Sequence, residues 1–272
     1  MAIVIALIVL LAGLAAGSFL NVCIHRIPAG ESVVAPRSHC PACSAKIAWF
    51  DNIPMLSYLI LKGRCRSCGE PIPLRYPLVE VATAGLFAWS YLYLLFHGVP
   101  LRYLPLVLPF YWWFAASLLA LSVIDIGHQI IPDRITLPLG LVGLGFVLFL
   151  AWLGSEPLPD VILRSLLGAA AGGGVLWLLG TLGKALLRKE AMGMGDVKLM
   201  AAAGIWLGWE MALFSIFLGA VAAAVAGLVL IALGRRGRQD RLPFGPFLSI
   251  GCWLGLLYGW RLVRWYLSLY GF

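Results

Sequence analysis

A chain of 272 residues that is 62% apolar and only 12% charged, with a mean hydropathy of +0.95, excludes a soluble globular fold. Its long uncharged runs must be covered by lipid and by one another, which makes it an integral membrane protein. The net charge of +8 does not point to nucleic acid, because the basic residues are spread over several loops, the distribution that orients a protein in a membrane.

The first apolar stretch, residues 1–22, lacks a charged n-region and a small-residue cleavage site, so it reads as a retained transmembrane helix rather than a cleaved signal. Gly13 and Gly17 recur on it at helical spacing, where small residues let a second helix approach closely. A hydrophilic loop fills 23–76. Further spans are predicted at 77–97, 104–124, 135–153, 161–183, 210–233 and 244–262, with a shorter apolar stretch at 197–209. The glycines Gly172 to Gly174 in the fifth span are again read as packing positions.

Sixteen of the 20 Lys and Arg fall in or beside the loop 25–75, the tract 184–198, the tract 235–241 and Arg134. Arg102, Arg164, Arg261 and Arg264 remain for the other side, with the acidic Glu156, Asp160 and Glu210. The basic segments share one face only if 197–209 crosses the membrane. Charge parity therefore predicts about eight transmembrane helices, with both termini outside and the basic loops in the cytosol.

The loop carries "HCPAC" and "CRSCG", two CxxC pairs formed by Cys40, Cys43, Cys65 and Cys68 and separated by 21 residues. Two such knuckles supply four thiolates in tetrahedral geometry, the donor set of a structural zinc site with no open coordination position. Two disulfides are the alternative, and they conflict with a reducing cytosolic side. Cys23 and Cys252 stand alone in apolar surroundings and read as packing residues.

Two acidic motifs fall at the cytosolic face. "DIGHQIIPD" runs from Asp125 to Asp133 at the end of the third span, and "GMGD" runs from Gly193 to Asp196 at the start of the sixth. Carboxylates at a membrane boundary can serve peptide hydrolysis, proton coupling or helix capping. The chain has no HExxH and no GxSxG, so a hydrolytic reading has to rest on the aspartates. A dyad can share one proton, one member drawing a proton from water while the other protonates the carbonyl oxygen or leaving amine. Gly193 and Gly195, on either side of Met194, leave room for an extended substrate. Pro132 fixes the chain between two helices, and Asp133 is placed to cap the second of them.

The chain resembles the type IV prepilin leader peptidases, membrane aspartic peptidases of the GxGD type. The likeness is carried by "GSFLNVCIHRIP" at 17–28, "PRSHCPAC" at 36–43, "GRCRSCG" at 63–69, "RYPLVE" at 75–80, the Asp125 motif, "GMGDVKL" at 193–199 and "PFGPFLSIG" at 243–251. The resemblance implies that Asp125 and Asp196 are the catalytic pair, with Asp133 a structural or substrate-side position. It also implies a second activity, N-methylation of the new N-terminus with S-adenosylmethionine, associated with the cysteine-bearing loop. The substrates it implies are type IV prepilins or type II secretion pseudopilins, and the location is the bacterial inner membrane. Methyl transfer rests on the resemblance alone, since 25–75 holds no glycine-rich nucleotide fingerprint.

The expected architecture is thus an all-α integral membrane protein with a cytosolic zinc-ribbon-like loop. Residues 1–22 form its first helix, 23–76 the loop associated with methyl transfer, and 77–272 the peptidase domain. A proton-coupled transporter competes with this reading but would place polar residues deep in several spans or break helices at the midplane. A scaffold with an interaction ribbon leaves the aspartates idle. Cysteine labelling at positions 37 and 238 is expected from the cytosol and at 156 from outside; labelling of 156 from the cytosol would contradict eight helices.

Overall fold

The computed structural model describes residues 2–154, 157–187, 192–235 and 242–269, so Glu156, Arg188, Lys189 and Arg238 lie outside the described residues. Those residues form α1 (Ala2–Arg26), α2 (Leu56–Ile60), α3 (Arg75–Phe96), α4 (Leu104–His128), α5 (Asp133–Trp152), α6 (Leu158–Leu187), α7 (Met194–Ala232) and α8 (Gly245–Ser268), with a 3₁₀ turn at Trp49–Asn52. Seven of these helices are long and apolar enough to cross a membrane, and leucines such as Leu141 and Leu166 point outward where lipid can cover them. No strand forms among the described residues.

The chain divides into two compact units, 1–120 and 121–272. The division falls inside α4, later than the boundary at 76/77 drawn from hydropathy, because α3 belongs with α1. A Cβ at Gly13 would run into the Ala84 backbone, and one at Gly17 into Glu80. This backbone-to-backbone approach is how helices associate in lipid, where apolar burial gives no drive of its own. Asn21 of α1 adds a hydrogen bond from its amide nitrogen to the Tyr76 carbonyl at 3.0 Å. The start of α4 joins the same unit through Trp112, whose ring stacks on Phe87 and whose Nε1 donates to the Phe87 carbonyl.

In the second unit α7 is 39 residues long but not continuous, since Gly208 takes φ 74° and ψ 171°. Gly172 of α6 packs against both the Met200 carbonyl and the Ala212 Cβ, and the Gly251–Cys252 step of α8 touches both Ser215 and Met200. Residues 200 and 212 would be about 18 Å apart along one straight helix. They share a neighbour because the chain doubles back at Gly208. The segment 194–207 therefore runs antiparallel to 209–232, and the short eighth segment expected from charge parity is a helix of its own.

Glycines line this hairpin. Gly168 and Gly204 meet with their backbones in contact, Gly143 makes room for the Trp206 indole, and that indole donates to the Leu139 carbonyl at 2.8 Å. Cys252 is fully buried with its sulfur 3.4 Å from that of Met200, in keeping with a packing role. Conformations like that of Gly208 are open to almost no other residue and cost about 1–3 kcal/mol when forced. Gly208→Ala is expected to lower the melting temperature of the purified protein in detergent by several degrees, against at most a degree for Gly174→Ala, where a Cβ meets nothing within 4 Å.

Candidate active site and metal centre

The loop of the first unit is built from two matching knuckles. In one, the Cys40 N–H donates to Ala45 O at 2.9 Å and the Ser44 N–H returns to Cys40 O at 2.8 Å. In the other, Cys65 and Gly69 repeat the pattern with Glu70 O and Cys65 O at 2.8 and 3.0 Å. The residue after the second cysteine of each pair has positive φ, 58° at Ser44 and 74° at Gly69. That turn faces both thiols of a pair inward.

All four sulfurs lie within 4.8 Å of one another, and those of Cys40 and Cys68 are 3.9 Å apart. A tetrahedral zinc with Zn–S bonds of about 2.3 Å requires sulfurs about 3.8 Å apart, so the residues fit the metal. The donor chemistry fits as well. The N–H groups of Cys68 and Ser67 bring the Cys65 thiol down to about 7. Cys68 receives the Glu70 N–H, which lowers it, but loss of solvent and the crowded neighbouring thiols raise it to about 12. Crowded thiols resist ionising together, and a bound dication removes that resistance.

Polar groups tie the loop to its helices. Arg26, buried at the end of α1, donates to Ser32 O at 3.0 Å and Pro36 O at 2.8 Å. Glu80 of α3 accepts the Met55 N–H at 2.8 Å. Arg66, between the second pair of cysteines, forks onto Asp51 at 2.6 and 2.8 Å and holds the Asp51 carboxyl below its ordinary range. None of these three anchors was foreseen from the sequence, although Glu80 closes the quoted "RYPLVE".

The second unit assembles the acidic motifs. Asp125 lies in the last turn of α4, 6% exposed, and Asp196 in the first turn of α7, close enough for the two carboxylates to act on each other electrostatically. Asp125 Oδ2 accepts the Gly245 N–H at 2.9 Å, and a Cβ on Gly245 would sit 2.8 Å from that oxygen. Residue 245 was quoted in "PFGPFLSIG" without a role. Its signal was a glycine at a helix start set between two Pro-Phe pairs, Pro243–Phe244 and Pro246–Phe247.

The two glycines of "GMGD" differ in use. Gly193 faces the Asp196 carboxylate, 3.4 Å from where its Cβ would be, whereas the space at Gly195 is filled by Ile131 of the first motif. Asp133 does not cap α5: Pro132 is the cap residue, in an extended conformation, and Asp133 is the first helical residue with no capping bond. Its carboxylate instead takes both bonds from Lys198 Nζ, at 2.9 and 2.8 Å. Proline already supplies the backbone conformation a cap requires, which frees the carboxylate to join the two motifs. The opposite charge two residues after Asp196 was a legible hint of this pair.

Two family descriptions match the chain, "Bacterial Peptidase A24 N-terminal domain" over residues 11–94 and "Type IV leader peptidase family" over residues 112–228. The chain belongs to the type IV leader peptidase family. Three similar relatives carry the name prepilin leader peptidase/N-methyltransferase. That of Aeromonas salmonicida is 40% identical over 96% of this chain and 93% of its own length. That of Pseudomonas aeruginosa is 36% identical over 97% and 93%. That of Klebsiella pneumoniae is 45% identical over 74% and 84%. No solved structure matches the chain.

Cys40→Ser is expected to release about one equivalent of zinc and to make residues 36–70 protease-sensitive. Elemental analysis finding no zinc in wild-type protein purified without chelator would refute the metal.

Proposed function

We propose that this family member cuts the basic leader from type IV prepilins or type II secretion pseudopilins at the cytosolic membrane face, and methylates the new N-terminus. The observation that carries the peptidase reading is that Asp125 and Asp196 lie within electrostatic reach of each other at helix ends joined by Ile131 against Gly195, with Asp125 fixed by the Gly245 N–H.

The arrangement suits acid and base work on an amide. Gly245 holds Asp125 Oδ2, leaving Oδ1 to exchange a proton. Asp196 stands at a helix N-terminus, where the dipole tolerates negative charge. One carboxylate takes a proton from the attacking water while the other gives its proton to the carbonyl oxygen; as the tetrahedral intermediate collapses, the first passes its proton to the leaving amine and the second takes back the hydroxyl proton. Because the carboxylates interact, they titrate as a unit and share these roles across the cycle. Ile131 against Gly195 and Asp133 against Lys198 position the two helix ends and touch no reacting atom.

Zinc held by Cys40, Cys43, Cys65 and Cys68 would be structural, since four thiolates leave it no position for substrate. The relatives' name supports methyl transfer, for which S-adenosylmethionine is the donor we assign. Asn21 Oδ1 and Arg75 Nε are buried without a hydrogen-bond partner among the described residues. They give the first unit unused polar capacity that suits the donor's adenine and amino-acid ends. The sidedness rests on the distribution of Lys and Arg.

Asp125→Asn and Asp196→Asn are each expected to reduce leader cleavage of a precursor pilin in detergent at least about 10³-fold, whereas Asp133→Asn should retain measurable activity. Methylation of a peptide supplied already cut should survive both catalytic substitutions. Full-rate cleavage by either catalytic variant, read from product mass, would return proton-coupled transport to first place.

A further inference from the structure

The short helix of the cysteine-bearing loop is turned inside out for a segment in water. Leu56, Leu59 and Ile60 share one face of α2 and are exposed, Leu59 and Ile60 at 64% each, while Ser57 beside them is buried. Ser57 Oγ donates to the Phe50 carbonyl at 2.8 Å, and the Tyr58 hydroxyl end lies against Gly63, just before the second knuckle. The polar side of the helix thus holds the loop together, and the apolar side is left outward. Beside it, in the turn that Ser57 grips, stand Phe50 and Trp49, in edge-to-face contact at 5.7 Å and both exposed, Trp49 at 81%.

Depth says what can cover this face. The Met55 N–H, immediately before α2, donates to Glu80 Oε2 at 2.8 Å. Glu80 lies five residues inside α3 from Arg75, about 7.5 Å along the axis. Its Cα is packed on Gly17, nine residues inside α1 from Arg26, about 13.5 Å along that axis. The 22 residues of α3 span about 33 Å, close to the ~30 Å of bilayer hydrocarbon, so Arg75 stands at the hydrocarbon boundary and Glu80 a turn and a half below it. The start of α2 is therefore pinned within one glutamate's length of a residue inside the span. Helices that lie in a membrane interface bury their apolar face about 5–10 Å into the boundary of headgroups and acyl chains, the same level. This step rests on α1 and α3 crossing the membrane, which their length and apolar composition support, and not on either enzymatic reading.

We propose that the Leu56, Leu59 and Ile60 face of α2, with Trp49 and Phe50, lies in the boundary layer of an anionic bilayer and fastens the cysteine ribbon flat to the membrane. The charges are complementary to such a surface. From 46 to 66 the chain carries Lys46, Lys62, Arg64 and Arg66 against Asp51 alone, and Arg66 already holds Asp51. Lys46, Lys62 and Arg64 are exposed, and side chains of this length lay their stems over apolar surface while their heads reach phosphates. An indole such as that of Trp49 is favoured at this level, because one edge is apolar and the other donates a hydrogen bond.

The test places the photo-cross-linking residue p-benzoylphenylalanine at position 59, or at the inward-facing position 58 as control, in the full-length protein held in nanodiscs of phosphatidylglycerol and phosphatidylcholine. Lipid adducts, read by mass spectrometry of the α2 peptide, are expected at 59 at least about ten-fold above those at 58. Phosphatidylglycerol should exceed phosphatidylcholine among them by at least about five-fold, and Lys46→Gln/Lys62→Gln/Arg64→Gln should bring that ratio close to the composition of the disc. No lipid adduct at 59, equal yields at 58 and 59, or a ratio that the triple variant leaves unchanged overturns the proposal. Cross-links from 59 to this chain, or to a precursor pilin held in the same disc, in place of lipid make the face a protein surface and overturn it too. Should the substituted proteins not fold, hydroxyl-radical footprinting of the wild type decides. Trp49 in nanodiscs is expected to oxidise several-fold more slowly than the same residue in a peptide of residues 46–54, and equal rates overturn the proposal.

Discussion

The peptidase unit depends on backbones touching where a Cβ would keep them apart. In lipid, helices gain nothing from burying apolar side chains against one another, so close van der Waals contact and hydrogen bonds have to hold them. Gly168 against Gly204 and Gly172 against Met200 are such backbone contacts, and Gly195 against Ile131 and Gly245 against Asp125 bring a backbone equally close to a side chain. Each aligns a helix that bears part of the site. Side chains at Gly168, Gly172 or Gly195 would force these helices apart without touching either aspartate.

The same constraint explains the doubling of α7. A straight helix from Met194 would carry its second half beyond the bundle, whereas the turn at Gly208 returns it along α6 and α8 and keeps the segment with Asp196 short. A short segment places the Asp196 carboxylate at one end and a charged, aromatic cavity at the other.

Much of this was legible in the residues themselves. The paired CxxC spacing foretold four converging sulfurs, because two knuckles with a spacer have few other uses, and Gly13 and Gly17 foretold the α1–α3 contact. The aspartates were found through their motifs and the resemblance those motifs carry. Other features depend on distances that no spacing encodes. Sequence offers Asp133 as a helix cap or, through the resemblance, as a structural or substrate-side position; Pro132 holds the cap, and Lys198, 65 residues on, takes the carboxylate. Gly245, 120 residues from Asp125, could not be joined to it from sequence. Hydropathy found the short segment at 197–209 but not its turn, because Gly208 is one glycine among many.

The central claim is that Asp125 and Asp196 meet. Oxidative cross-linking of a protein carrying Asp125→Cys and Asp196→Cys, with Cys23 and Cys252 replaced by Ala and the four loop cysteines left in place, tests it without asking for activity. The account predicts one dominant disulfide-linked peptide pair joining residues 125 and 196 by mass spectrometry. Protein that keeps its melting transition yet forms no such pair would contradict it.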